Sequence, residues 1–213
     1  MDVIKRHCML RCTNALWALV LILTLSSCAV LIRPNFETEI LKLRKGQYTL
    51  DQRHSFVVFK VSHLGLSTYL GRFNRFSAEL DFDPDDLPST SLEGAVEMGS
   101  VDTGDAEVDG LLKEPAWFDT ASFPQAVFVT TEVRPVGDGE IAIGGSLTLR
   151  GITRDIELTG RFNGGADNLL TRRYTLGFSA TGQFRRSEFG IDSFSGLVGD
   201  EVTIEVYAEF LRN

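Results

Sequence analysis

From Tyr48 onward, apolar and polar side chains alternate with a period of two, the signature of strands with one dry face. Phe76, Ala78, Leu80 and Phe82 alternate with Ser77, Glu79, Asp81 and Asp83, and Leu92, Val96 and Met98 with Ser91, Glu93 and Glu97. Ile156, Leu158 and Phe162 alternate with Asp155, Glu157, Thr159 and Arg161. The longest runs are Tyr174 to Phe184 and Val202 to Phe210. Between them lie turn residues: Asp83-Pro84-Asp85-Asp86, Gly137-Asp138-Gly139, a tight connection at Gly151, and Asn163-Gly164-Gly165. The spacing becomes irregular over Asp105 to Phe118, where Val108, Leu111 and Leu112 predict a short helix. The expectation is about eight or nine antiparallel strands with one helical insertion.

So many strands, each with a single dry face, must close on themselves or pair as a sandwich. Runs of about 11 or 12 residues exceed the usual 5 or 6 and favour a tall barrel. Eight strands leave an interior that side chains just fill, or one that holds a small ligand. The predicted class is therefore all-β, an extended antiparallel eight-stranded lipocalin-like barrel. Its inward face is read as Phe56, Val58, Phe76, Leu80, Phe82, Val96, Met98, Phe128, Leu147, Leu158, Phe162, Phe178 and Phe184. Gly94, Ala78 and Ala180 stand among these large residues. That mixture suits a long narrow cavity and a tapered, filled core equally well.

Upstream of the barrel the pattern changes. Lys5, Arg6 and Arg11 precede an uncharged run from Ala15 to Leu25, followed by Ser26-Ser27-Cys28. Basic, apolar, small and then cysteine is the order of an export signal ending in a bacterial lipoprotein cleavage pattern. The apolar run falls short of the roughly 20 residues that span a bilayer. Residues 1–27 are expected to be removed, Cys28 to carry the acyl chains, residues 28–45 to form a tether, and residues 46–213 the barrel domain. The remaining 186 residues suffice for one domain and keep only Cys28, so neither a disulfide nor a cysteine metal site is available. They hold 18 basic and 28 acidic residues, a balance that repels nucleic acid and anionic headgroups. Membrane contact is then expected through the acyl chains, which anchor stably when two or more are present. An anchor at Cys28 is expected to keep the open end of the barrel near the membrane.

Candidate chemistry is sparse. His54 and His63 are nine residues apart, on opposite faces of a regular strand, which argues against a shared metal. His63 stands at a strand exit where it could meet a polar ligand end, and Arg186 precedes Phe189-Gly190 either as a rim contact or as a loop cap. Asp105-x-Glu107-x-Asp109-Gly110 resembles the start of a calcium loop, but the twelfth position, which needs a bidentate glutamate, is Ala116. There is no Gly-x-Ser-x-Gly elbow and no His-Glu-x-x-His motif. No catalytic residue, metal or cofactor is expected.

A set of ordered segments resembles the YceI family of exported bacterial proteins. These are Tyr48-Thr49-Leu50-Asp51-Gln52-Arg53-His54-Ser55, Phe59-Lys60-Val61-Ser62-His63-Leu64-Gly65, Gly71-Arg72-Phe73-Asn74-Arg75-Phe76 and Ser100-Val101-Asp102-Thr103-Gly104. Trp117-Phe118-Asp119 with Phe123-Pro124, Gly145 to Arg154, and Arg186-Ser187-Glu188-Phe189-Gly190-Ile191 complete the series. The resemblance implies a lipocalin-like barrel enclosing an isoprenoid lipid of polyprenyl or quinone type. Where many family members have an Arg-Asp pair and then a His-Leu pair, this chain has Val108-Asp109-Gly110-Leu111-Leu112, so polar ligand contacts are not carried over from that segment. The reading is an isoprenoid-binding envelope lipoprotein facing the periplasm. Ala29 after the cysteine, where aspartate would signal inner-membrane retention, points to the outer membrane. The alternatives are a structural module with a filled core and, behind it, a lipid-modifying enzyme using His54, His63 or an acidic residue as base.

Overall fold

The computed structural model describes residues 37–137 and 139–213; Cys28 and the segment expected to be an export signal lie outside them. The strands are β1 (Gly46–Leu50), β2 (Phe56–His63), β3 (Ser67–Phe73), β4 (Phe76–Phe82), β5 (Ser91–Glu97) and β6 (Val101–Asp102). After the helix α1 (Ala106–Lys113) come β7 (Gln125–Gly137), β8 (Glu140–Leu149), β9 (Ile152–Asn168), β10 (Arg173–Arg185) and β11 (Val198–Arg212).

These strands make eight ribbons, because the first six join in pairs. β1 and β2 lie end to end along β11, with Leu50 opposite Phe210 and Phe56 opposite Tyr207. β3 and β4 continue one another along β2 and β1, and β5 and β6 do the same along β4 and β3. Each remaining ribbon pairs antiparallel with the next, and β1 against β11 closes the ring. The expected eight-stranded antiparallel barrel with a helical insertion is the fold of this chain.

Two buried serines splice the breaks. Ser55 Oγ accepts from Glu209 N (3.0 Å) and donates to Asp51 O (2.8 Å), restoring the ladder where Gln52–His54 leaves it. Ser100 Oγ accepts from Arg75 N (2.9 Å) and donates to Glu97 O (2.7 Å), tying the β3–β4 break to the β5–β6 break. A buried polar group is retained only where it is bonded, and both are. Helix α1 starts at Asp105, whose carboxylate caps Glu107 N and Val108 N, while Asp109 ties Thr103 N and Oγ1 at 2.7 Å each. Two acidic residues of the calcium-like run thus serve as helix cap and loop tie.

Two expectations are corrected. Asn163-Gly164-Gly165 is not a turn: β9 runs through it as a bulge and turns only after Asn168. Gly164, at φ 134°, supplies the backbone conformation the bulge needs. The tether also ends earlier than residue 45. Glu37 bridges Gly165, Leu43 is buried against Gly165 and Tyr174, and the Tyr48 hydroxyl donates to Arg44 O (2.5 Å). Residues 37–45 therefore belong to the barrel and stopper one end.

Candidate ligand lumen

Core packing falls into two clusters, one at each end. Leu43, Tyr48, Phe82, Tyr174 and Leu176 fill the end where the described chain begins, and Tyr48 and Leu176 are wholly buried. Burial there pushes the Tyr48 phenol up to about 12. Phe59, Phe73, Met98, Leu112, Trp117 and Phe189 pack at the other end, under α1 and the segment between β10 and β11. Between the clusters runs a cavity of about 490 Å³. Its lining is almost wholly carbon; among the described residues no aspartate or glutamate faces it. Apart from Ser77, which holds a polar position in the alternation of β4, the exposed lining residues are His63, Leu111 and Phe194; all three belong to the α1 end, so the lumen opens there and is stoppered at the other end.

Glycines explain why the rings leave a lumen. Gly71 lies opposite Phe59, and an added Cβ would fall 2.3 Å from the ring; Gly145 is opposite Thr130, diagonal to Phe128, and an added Cβ there would also fall 2.3 Å from the Phe128 ring. A ring whose outer edge lies over a neighbouring glycine lines the wall instead of crossing the axis. The filled core that the alternation also permits is therefore not the arrangement adopted. Toward the stopper, Phe82, Phe162, Phe178 and Phe210 close up, with centroids 4.5–6.4 Å apart.

Of the residues read from sequence, Phe76, Leu80, Val96, Met98, Phe128, Leu147, Leu158, Phe162, Phe178, Phe184, His63 and Arg186 line the cavity. Phe82 sits behind them in the stopper, wholly buried. Phe56 and Val58 are corrected. Phe56 pairs with Tyr207 on the outer wall and is half exposed, and the inward residues of β2 are Val57, Phe59, Val61 and His63. The run Phe56-Val57-Val58-Phe59 is apolar on both faces, so alternation gave no phase there. Gly94, Ala78 and Ala180 line the wall as small residues.

Arg186 is buried and loop-capping. Nε donates to Gly199 O (2.8 Å), Nη1 to Ile191 O (2.8 Å) and Ser193 O (2.9 Å), and Nη2 to Val198 O (3.0 Å). Its guanidinium also lies 5.6 Å from the centre of the Trp117 ring. Trp117 stacks on Phe194 at 6.0 Å, and its buried indole N–H has no partner among the described residues. His63 and Tyr69 face one another at the mouth, ring centres 6.1 Å apart. His54 stands apart, outside the lumen, with Nδ1 2.8 Å from Asp51 Oδ2; that hydrogen bond, and then the carboxylate charge, raise its pKa. Asp51, His54 and Glu209 bring their donor atoms within 4.8 Å of one another.

Fold and lumen define the class: an up-and-down β-barrel with a carbon-lined interior open at one end. Within that class, the chain belongs to the YceI-like domain family, whose model matches residues 48–210. A UPF0312 protein of Shewanella baltica is 32% identical over 169 residues, spanning 78% of this chain and 88% of its own. One from Yersinia pestis is 34% identical over 166 residues, 77% and 85% of the two chains. Among solved structures, a YceI protein of Campylobacter jejuni superposes with a TM-score of 0.65 at 26% identity, covering 72% of this chain and 91% of that one. A protein from Saccharophagus degradans described as a polyisoprenoid binding domain shares the fold at a TM-score of 0.57 and 15% identity, over 80% and 100% of the two chains.

Proposed function

We propose that this protein is an envelope lipoprotein that takes the chain of an isoprenoid lipid, of polyprenyl or quinone type, into its lumen. The observation that carries the reading is the one-ended, carbon-lined cavity of about 490 Å³, kept open by glycines beneath its rings. The Saccharophagus neighbour, described as polyisoprenoid-binding, supports the ligand class, and the segment from Lys5 to Cys28 supports anchoring through acyl chains on Cys28. Ala29 favours the outer membrane and a periplasm-facing barrel.

Burying a CH₂ away from water gives about 0.8 kcal/mol, so one five-carbon isoprene unit gains roughly 4 kcal/mol. Relative to a bilayer, where the chain is already dry, the gain falls close to zero before ordering costs. Such a balance suits exchange and carriage rather than irreversible capture. Among the described residues, the ionisable groups of the lining are His63, Tyr69 and the loop-capping Arg186, beside scattered hydroxyls, which favours carriage over catalysis. The Trp117 indole only donates, which suits a headgroup bearing oxygen acceptors.

Native mass spectrometry of residues 37–213 purified from envelope fractions should show a stoichiometric isoprenoid adduct. Gly94→Phe should weaken loading by about tenfold or more, because the nearest atoms to a Cβ there are 3.8 Å away and the ring would project into the lumen. A chain that stays free of adduct after incubation with polyprenyl lipids and quinones would sink the reading.

A further inference from the structure

The mouth is rimmed by large apolar side chains that folding does not require. Leu64, Leu66, Leu111, Phe194 and Leu197 are all exposed, Leu66 at 85%. They are neighbours around one opening: Leu64 N donates to Leu197 O (2.7 Å), Phe194 stacks on Trp117, and Leu111 and Phe194 line the lumen itself.

The β2–β3 turn is the informative case. Leu64 and Gly65 stand at φ 56° and 67°, and Leu66 N bonds His63 O (3.0 Å). Two consecutive left-handed residues favour Asn-Gly, and leucine is a poor choice for the first of them. The equivalent β8–β9 turn, at φ 51° and 71°, uses a polar residue, Arg150, before Gly151. Phe194 is likewise held at φ 53° while half exposed. Strain spent on presenting an apolar side chain to water marks a function of that side chain.

We infer that this rim docks on the surface of an uncharged bilayer, so that a lipid chain passes between membrane and lumen without crossing water. The inference rests on the isoprenoid reading above. Each isoprene unit forced through water would slow release about a thousandfold, so a long chain moves only where the mouth meets an apolar phase. The rim is continuous with the lumen, and a bilayer supplies that phase directly. A net charge near −10 after export, from 18 basic and 28 acidic residues, argues for uncharged over anionic headgroups. The opposite end carries exposed Leu41, Leu169 and Leu170 as well, but there the barrel is stoppered and no chain can pass.

Residues 36–213 form one compact unit containing the whole ring and both core clusters, so residues 37–213 serve as the test protein. Phosphatidylcholine vesicles carrying a fluorescent polyprenol would be mixed with it and loading followed over time. The expected rate rises in proportion to vesicle concentration and falls when phosphatidylglycerol is added. Leu64→Asn with Leu66→Asn should cut it about tenfold or more, although asparagine suits the turn and the melting temperature should not drop. Leu169→Asn with Leu170→Asn should leave the rate unchanged. Loading from detergent micelles should be equal in all three proteins. A rate independent of vesicle concentration, a rim variant that loads from vesicles as fast as the parent, or a parent that loads from micelles but never from vesicles would each overturn the docking inference. Failure to load even from micelles would instead overturn the isoprenoid reading.

Discussion

Arg186 turns a floppy crossover into a fixed rim. Four of its five donors reach backbone carbonyls between Ile191 and Gly199, so one planar fork gathers the segment leading into β11. Lysine presents three donors from a single point and would leave part of that buried set unpaired. Arg186→Lys should therefore cost about 3 kcal/mol in urea unfolding. His54 makes a smaller contribution of a different kind. Its pKa is raised in the folded state, so its pairing with Asp51 stabilises below the ordinary histidine range and fades as pH rises through the raised value. His54→Gln should melt lower than the parent near pH 5.5 and identically near pH 9, with a difference under about 1 kcal/mol because the imidazole is exposed.

At the scale of elements, the long alternating runs were legible because each has one wet and one dry face. In β4, β5, β9, β10 and β11 the inward residues read from period-two spacing are the ones that face inward here. β2 resisted because four consecutive apolar residues erase the phase, and only its neighbours β3 and β11 decide it. Asn163-Gly164-Gly165 has the composition of a turn, but its pairing with β10 turns it into a bulge. The stopper was invisible because its identity rests on Leu43 and its fit to Gly165 and Tyr174, long-range contacts no local pattern encodes. Arg186 was legible as a rim contact or a loop cap, but which main-chain oxygens it gathers was not. Leu43→Ala should cost about 3 kcal/mol, read by chemical denaturation, since the gap left between Gly165 and Tyr174 cannot easily collapse.

Residues 37–213 contain no cysteine, so the barrel depends on its two end clusters with a hollow between them. A ligand in that hollow adds stability by mass action. At a hundred times its dissociation constant it contributes about 2.7 kcal/mol, so the loaded protein should melt roughly 5–10 °C above the delipidated one in a calorimetric scan. The molecule is also polar in the geometric sense. Glu37, where the described residues begin, bridges Gly165 at the stoppered end, and the mouth lies at the other.

The stopper makes the barrel a blind tube. A guest goes in by the door it came out of, so traffic through it is last in, first out and never flow-through. A long chain with one bulky end can be seated only tail first, and the bulky end stays at the threshold throughout. Whatever meets the mouth therefore meets the headgroup before it meets the chain, and can tell a laden barrel from an idle one by touch.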